Sequence, residues 1–190
     1  MFTNNNNSEQ QKRGVIVCIP KIARPYQPTD FRAITLLNTN YKILAHIIAK
    51  RIRPALEDLF HPSQYCGRPG NTIFDAVATV RDAITYAEVA WRPLCVLTLD
   101  FKEAFDRIWH KYLFTILRSY GFSDAFVERI KHMYNNATSV VQLNGHLSAP
   151  LPIQCSVRQE CPLSMILFAL CLNPLIHSLQ KHLNGIRVHR

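Results

Sequence analysis

No two cysteines in this chain are spaced as C-x-x-C. The six present, at positions 18, 66, 95, 155, 161 and 171, form no paired His/Cys cluster with the spacing of a zinc site. Disulfide scaffolds and zinc modules therefore fit poorly, and free thiols in a reducing, intracellular setting are expected. Cys18 and Cys95 lie inside apolar runs, where a thiol behaves as a small hydrophobe. Long hydrophobic runs are also missing. The longest, Pro162–Ile176, falls short of the ~20 residues of a bilayer span and contains Ser164, Asn173 and Pro174, so no membrane segment is expected. Met1–Gln11 is polar, with four consecutive asparagines, and lacks the apolar core of a secretion signal. Acids are scarce: 13 Asp and Glu stand against 22 Lys and Arg, for a net charge of +9 over 190 residues. That excess makes a polyanion partner worth testing, although a lysine-rich solvated surface gives the same count. Hydrophobic residues make up 48 %, enough for one domain, or one domain with a small lobe, to bury a sizeable core.

What is present is organised around Leu94–His110, LCVLTLDFKEAFDRIWH. Leu94–Leu99 is a short apolar run with two β-branched residues, bounded by Pro93 and a charged turn, and reads as a buried strand. Asp100 then stands at the strand's exit and Asp106 six residues on, with Glu103 between them and Phe101 and Phe105 alternating with the acids. Carboxylates held at a strand end suit a hard divalent cation such as Mg²⁺, which takes oxygen ligands and keeps room for phosphate. The same acids also suit a solvated turn that caps the next helix.

The remaining chain alternates irregularly between strands and helices. Met1–Arg13 reads as a disordered polar leader. Val15–Ile19 and Phe31–Leu37 read as strands joined by a long loop carrying Lys21, Arg24, Pro25, Pro28 and Asp30. Such a basic tip reaches a triphosphate, with Lys21 as a point charge and Arg32 as a bidentate fork, or is simply solvated. Asn38 or Asn40 caps a helix to about Arg53 with Tyr41, Leu44, Ile47 and Ile48 on its inner face, and Pro54 restarts it. After the turn-rich loop His61–Gly70, Asn71 or Thr72 caps a helix to about Trp91 with Ile73, Phe74, Val77, Val80 and Ile84 facing inward. Lys111–Tyr120 is a short helix stopped by Gly121, and Ser123 caps another to about Tyr134. Asn144-Gly145 marks a hairpin between Ser139–Leu143 and Leu147–Gln154. Cys155–Ser164 is a polar turn, Leu163–His182 a long helix interrupted at Asn173-Pro174, and Ile186–Val188 the start of one more strand. The pattern implies an α+β fold, an antiparallel sheet backed by helices with a smaller basic N-terminal lobe.

Four segments then stand in a familiar order: IPK…DFRAITLLNTNYKILA at 19–45, QYCGRPGNTIFDA at 64–76, LTLDFKEAFDRIWH at 97–110 and CSVRQECPLSMILFALCLNPL at 155–175. Together they resemble the reverse transcriptase of non-LTR (LINE-type) retrotransposons, over about residues 15–190. The resemblance implies a fingers-and-palm polymerase fold, with residues 1–14 a disordered leader, fingers over about 15–93 and palm over about 94–190. It also implies DNA synthesis from dNTPs on an RNA template with a DNA primer, and two Mg²⁺ ions about 3.5–4 Å apart in the intact enzyme. Carried over, Asp100 is the first metal-binding aspartate, Phe101 lends its carbonyl to the same metal, and Asp106 is the second acid of the block. Phe105 resembles the aromatic gate beneath the incoming sugar, Lys21 and Arg32 the fingers residues on the triphosphate, and Gln159 the glutamine lining the nucleotide site.

Two departures bear on activity. The family's Phe/Tyr-Ala-Asp-Asp hairpin is expected after the strand near Ile186 and is not in the 190 residues, nor is a thumb. The expectation is an incomplete palm and a truncated, inactive fragment; a non-enzymatic nucleic-acid-binding remnant of the same fold is the alternative. In addition, Glu160 stands where the Arg-Gln-Gly-Cys-Pro-Leu-Ser pattern has glycine, adding bulk and a negative charge where glycine would allow close backbone approach and a positive φ. His177, His182 and His189 lack ligand spacing, and His110 is expected to start a helix.

Overall fold

A computed structural model describes residues 9–183 and Gly185; residues 1–8 of the expected leader and the strand expected at 186–188 lie outside the described residues. The chain forms α1 (Glu9–Lys12), β1 (Arg13–Pro20), β2 (Phe31–Leu37), α2 (Thr39–Ile52), α3 (Leu56–Leu59) and α4 (Ile73–Val89), then α5 (His110–Ser119), α6 (Asp124–Tyr134), β3 (Thr138–Leu143), β4 (His146–Leu147), β5 (Leu151–Pro152) and α7 (Ser164–His182). Glu9–Lys12 is therefore helical and Arg13–Gly14 already in a strand, where a disordered leader was expected.

The sheet runs β2-β1-β3-β4, with β5 also on β3. β1 and β2 pair antiparallel from Gly14↔Leu37 to Pro20↔Phe31, as the basic hairpin requires. β1 and β3 pair in parallel from Arg13↔Thr138 to Val17↔Gln142, so the sheet is mixed rather than antiparallel. Parallel neighbours need a long crossover, and α2 to α6 supply it. One sheet thus joins segments from both sides of residue 93.

Side-chain caps set several helix starts. Asn38 Oδ1 accepts from Asn40 N at 2.9 Å, Ser123 Oγ from Phe126 N at 3.3 Å, and Thr72 closes a capping box with Asp75. Gly121, at φ +79°, ends α5 in the left-handed conformation that glycine tolerates. The Asn144-Gly145 turn has both residues at positive φ, as a type I′ hairpin demands. Its return strand is broken at Ser148–Pro150, where Ser148 Oγ rather than a carbonyl takes the Val141 N–H and Pro150 has no N–H to give.

The core lies between α2, α5, α6 and α7, with Leu113, Leu117, Val127, Ile130, Leu163, Leu167 and Leu170 fully buried. On α2 the buried residues are Tyr41, Ala45, Ile48, Ala49 and Ile52, so the buried face includes the two alanines and leaves out Ile47, which is exposed. α7 is continuous through Pro174. The missing proline N–H costs one helical bond, and nearby the Tyr112 hydroxyl donates to the Cys171 carbonyl at 2.9 Å. No described helix is long and apolar enough to cross a membrane.

Two expected core elements are not in the core. α4 forms, but Ile73 and Phe74 are 74 % and 79 % exposed, Val77, Val80 and Ile84 also face solvent, and only Ala87 is buried. Local capping and propensity make a helix without requiring a partner for its apolar face. Leu94–Leu99 forms no strand and pairs with nothing among the described residues, with Leu97 77 % exposed. A strand exists only as a pair, and the sheet's strands pair with one another and not with this run, so its apolar composition alone does not make it a strand.

Candidate active site

The acidic block and the polar turn meet. Residues 105–110 run antiparallel to 155–157: Val157 N donates to Phe105 O and Ser156 N to Ile108 O, both at 2.8 Å, and Trp109 bridges Cys155. This aligns Asp106, in a single 3-10 turn (Phe105–Arg107), with the residues opposite. Gln159 Nε2 donates to Asp106 Oδ2 at 2.9 Å and Ser156 Oγ to Oδ1 at 3.2 Å. A carboxylate with one donor on each oxygen is held in orientation while keeping lone pairs for a further ligand. Asp106 and Ser156, with Thr35, Ser139, Cys155 and Arg158 among the other walls, line a hollow of about 160 Å³.

The other expected site residues are placed apart from this centre. Asp100 ends the exposed run and has no hydrogen-bond or ion-pair partner among the described residues. Phe101 lines a different hollow of about 140 Å³, with Lys102, Ala104, Arg107, Phe168 and Leu172. Phe105 packs its ring on Phe168, centroids 5.0 Å apart, against the core. Glu103 is tied to Arg107 by an exposed ion pair at 3.0 Å. Among the described residues no group of three or more His, Cys, Asp or Glu side chains is clustered as a metal site.

Lys21 and Arg32 sit at the far end of the β1–β2 hairpin. Lys21 Nζ donates to Thr29 O at 3.0 Å, and Arg32, opposite Ile19, is exposed. The loop between them is internally braced: Asp30 Oδ2 accepts from Gln27 N at 2.8 Å and Tyr26 N at 2.9 Å, and these bonds hold its carboxyl below the usual value. By strand alternation Arg32 and Thr35, three apart on β2, point to opposite faces of the sheet.

Two residues of the polar turn carry backbone conformations that L side chains rarely adopt: Ser156 at φ +108° and Glu160 at φ +58°. The glycine position of the sequence pattern is thus a left-handed one. Glu160 is exposed and forms no ion pair among the described residues, so its side chain returns nothing for the strain. Glu160→Gly is expected to raise stability by about 1 kcal/mol, read as a higher denaturation midpoint in urea at constant slope.

His110, first in α5, donates Nε2–H to Ser156 O at 3.1 Å and packs on the Tyr134 ring at 4.9 Å. Burial pushes its pKa down, and the bond to the Ser156 carbonyl only partly offsets this. An unfolded histidine titrates near 6.5, so below that pH the unfolded chain binds more protons here and stability falls. Thermal midpoints measured from pH 7 to pH 5 are expected to decline, and less steeply in His110→Gln.

Sequence reading found Asp106 and Gln159 but not the support beneath them. Arg158 is 3 % exposed, donates through Nη2 to Lys12 O, and stacks on Tyr41 at 5.0 Å. Nothing in the sequence sets it apart from its polar neighbours Gln159 and Glu160 except that it directly follows Val157.

Known proteins match this chain along nearly its whole length. The family described as reverse transcriptase (RNA-dependent DNA polymerase) matches residues 19–190. A 149 kDa uncharacterised protein of transposon TX1 from Xenopus laevis is 39 % identical over 175 residues, covering 92 % of this chain and 13 % of that protein. The Pol polyprotein of the type-2 retrotransposable element R2DM from Drosophila melanogaster is 27 % identical over 169 residues, 89 % of this chain and 16 % of that protein. A probable RNA-directed DNA polymerase from the X-element transposon of Drosophila melanogaster is 30 % identical over 172 residues, 80 % of this chain and 19 % of that protein. The chain thus spans less than a fifth of the length of each of these relatives.

Proposed function

Because the chain belongs to the reverse transcriptase family of retrotransposons over residues 19–190, we propose that it carries the fingers and the nucleotide-facing part of the palm of an RNA-directed DNA polymerase. The observation that supports this most directly is the Gln159–Asp106 bond, which brings two blocks 53 residues apart to the wall of one hollow. In this reading Gln159 contacts the incoming dNTP and Phe105 limits room at its sugar, while Lys21, at the far end of the hairpin, and Arg32, on the sheet face opposite Thr35, attract its triphosphate only by long-range charge. The fingers extend over about 15–93 and the palm from about 94.

The family is metal-dependent in general. Oxygen donors of the kind Mg²⁺ prefers are present: the Asp100 carboxylate and Phe101 carbonyl as one set and Asp106 as another. Either set could contribute to holding one ion completed by phosphate oxygens and water, and such an ion would neutralise charge developing on the transferred phosphoryl group. Phe101 and Asp106 line separate hollows, however, and Asp100 lines neither, whereas a two-ion centre needs carboxylates shared between ions about 4 Å apart. The 190-residue chain is accordingly read as binding template, primer and dNTP without extending a primer by itself.

The test is binding of a Mg²⁺–dNTP to the 190-residue chain in the presence of an RNA–DNA primer-template. Gln159→Ala and Asp106→Ala are expected to weaken nucleotide binding about tenfold each, while hybrid binding persists and falls with salt. Salt-dependent hybrid binding with no nucleotide response in the wild type would favour the remnant reading instead. Primer extension that Asp100→Ala abolishes would overturn the claim of inactivity.

A further inference from the structure

We propose that Arg158 is a positioning residue: buried beneath the polar turn, it holds Gln159 against Asp106. The proposal rests on the nucleotide-site reading above only for its functional consequence; the positioning itself is a statement about the turn.

Gln159 and Glu160 form a two-residue crest between buried Arg158 and buried Cys161. The N-terminal side of this turn is held by other means, since Val157 is fully buried and its N–H is bonded to Phe105 O. Beyond Val157, the contacts before the crest belong to the Arg158 side chain: Nη2 to the Lys12 carbonyl just before β1, and the guanidinium carbon over the Tyr41 ring at 5.0 Å from its centroid. Positive-φ residues at 156 and 160 flank the segment, a conformation kept only where surrounding contacts over-determine it.

Arg158 is not what a stability-driven sequence would place there. It has no carboxylate at ion-pair distance among the described residues, and its Nη1 is buried with no acceptor. Tyr41 Oη, buried beside it, is likewise without a hydrogen-bond partner, and burial pushes the Tyr41 and Tyr134 hydroxyls to higher pKa. A guanidinium is always charged, and burying it unpaired costs free energy that a methionine of similar length would not incur. What it supplies in return is direction, a rigid planar fork fixed at one arm and one face.

The side-chain amide of Gln159 reports the effect without any ligand. In ¹⁵N spectra of the full chain, its NH₂ pair, assigned by its absence in Gln159→Ala, is expected to be shifted and slowed in exchange, and to move to random-coil values in Asp106→Ala. Arg158→Met is expected to give the same random-coil pair while near-UV circular dichroism and thermal midpoint stay at wild-type values. In nucleotide titrations Arg158→Met loses about tenfold, and the Arg158→Met/Gln159→Ala double variant is no weaker than Gln159→Ala alone. An unmoved Gln159 amide in Arg158→Met, or losses that add in the double variant, would overturn the proposal. If Arg158→Met does not fold, Arg158→Lys keeps a donor for Lys12 O but loses the planar stack. It is expected to give partly shifted amide signals, and a wild-type amide pair there is equally contrary. An amide response without any nucleotide binding by the wild type leaves the positioning role standing and removes the nucleotide-site reading.

Discussion

Asn173→Leu is expected to lower the unfolding free energy by about 3–5 kcal/mol, toward the severe end for a single substitution. Asn173 is fully buried inside α7 and joins three parts of the chain. Its Oδ1 accepts from His61 N at 2.9 Å, and its Nδ2 donates to Leu59 O at 2.8 Å and Tyr120 Oη at 2.7 Å. Leucine matches its volume, so no large cavity opens, but it strands two backbone groups and a hydroxyl, each costing about 1–3 kcal/mol when desolvated without a partner. The loss appears as a lower urea midpoint at unchanged slope. Tyr120→Phe, which removes one of the three partners cleanly, is expected to cost far less, and a double-mutant cycle between the two sites gives a coupling of about 1 kcal/mol. A wild-type midpoint for Asn173→Leu would show that water satisfies these groups and that the amide is not a tie.

Gly14→Val is the second large effect, an expected loss of about 2–3 kcal/mol. Gly14 lies in the central strand, paired with Leu37 on one side and Ser139 on the other. A Cβ there would come within 2.6 Å of Thr35 Cγ2 and 3.1 Å of Ser139 Oγ. The first contact is with a β-branched side chain that has little rotameric freedom, so strands must separate to admit it. Thr35→Ser removes the obstructing methyl, and Gly14→Ala in that background is expected to regain most of what Gly14→Ala alone loses. Thermal or urea denaturation of the four chains reads the coupling.

How much of this was legible beforehand divides along a physical line. Features set by a few neighbouring residues were readable: the Asn38 and Ser123 caps, the Gly121 stop, the Asn144-Gly145 turn, and β2 to the residue. Features that need a distant partner were not. Leu94–Leu99 has the composition of a buried strand, yet composition does not provide a neighbour to bond with. Ile73, Phe74 and Val77 have helical spacing, yet spacing does not say what covers them. The parallel pairing of β1 with β3 escaped notice for the same reason, because nothing local in Val15–Ile19 names Val140 as its neighbour. At the site, Asp106 and Gln159 came from a resemblance and are brought together by the fold, whereas Arg158 acts from below through Tyr41 and a carbonyl and leaves almost no local trace.

The parallel register of β1 with β3 also dictates a schedule. Arg13 emerges from the ribosome more than a hundred residues before Thr138, the residue it must lie beside. At typical synthesis rates that delay is on the order of ten seconds, during which the β1–β2 hairpin exists as a nascent ribbon with one edge open. Closing so long a loop is entropically slow, so the open edge of β1 gains its partner only after the second half of the chain has been made.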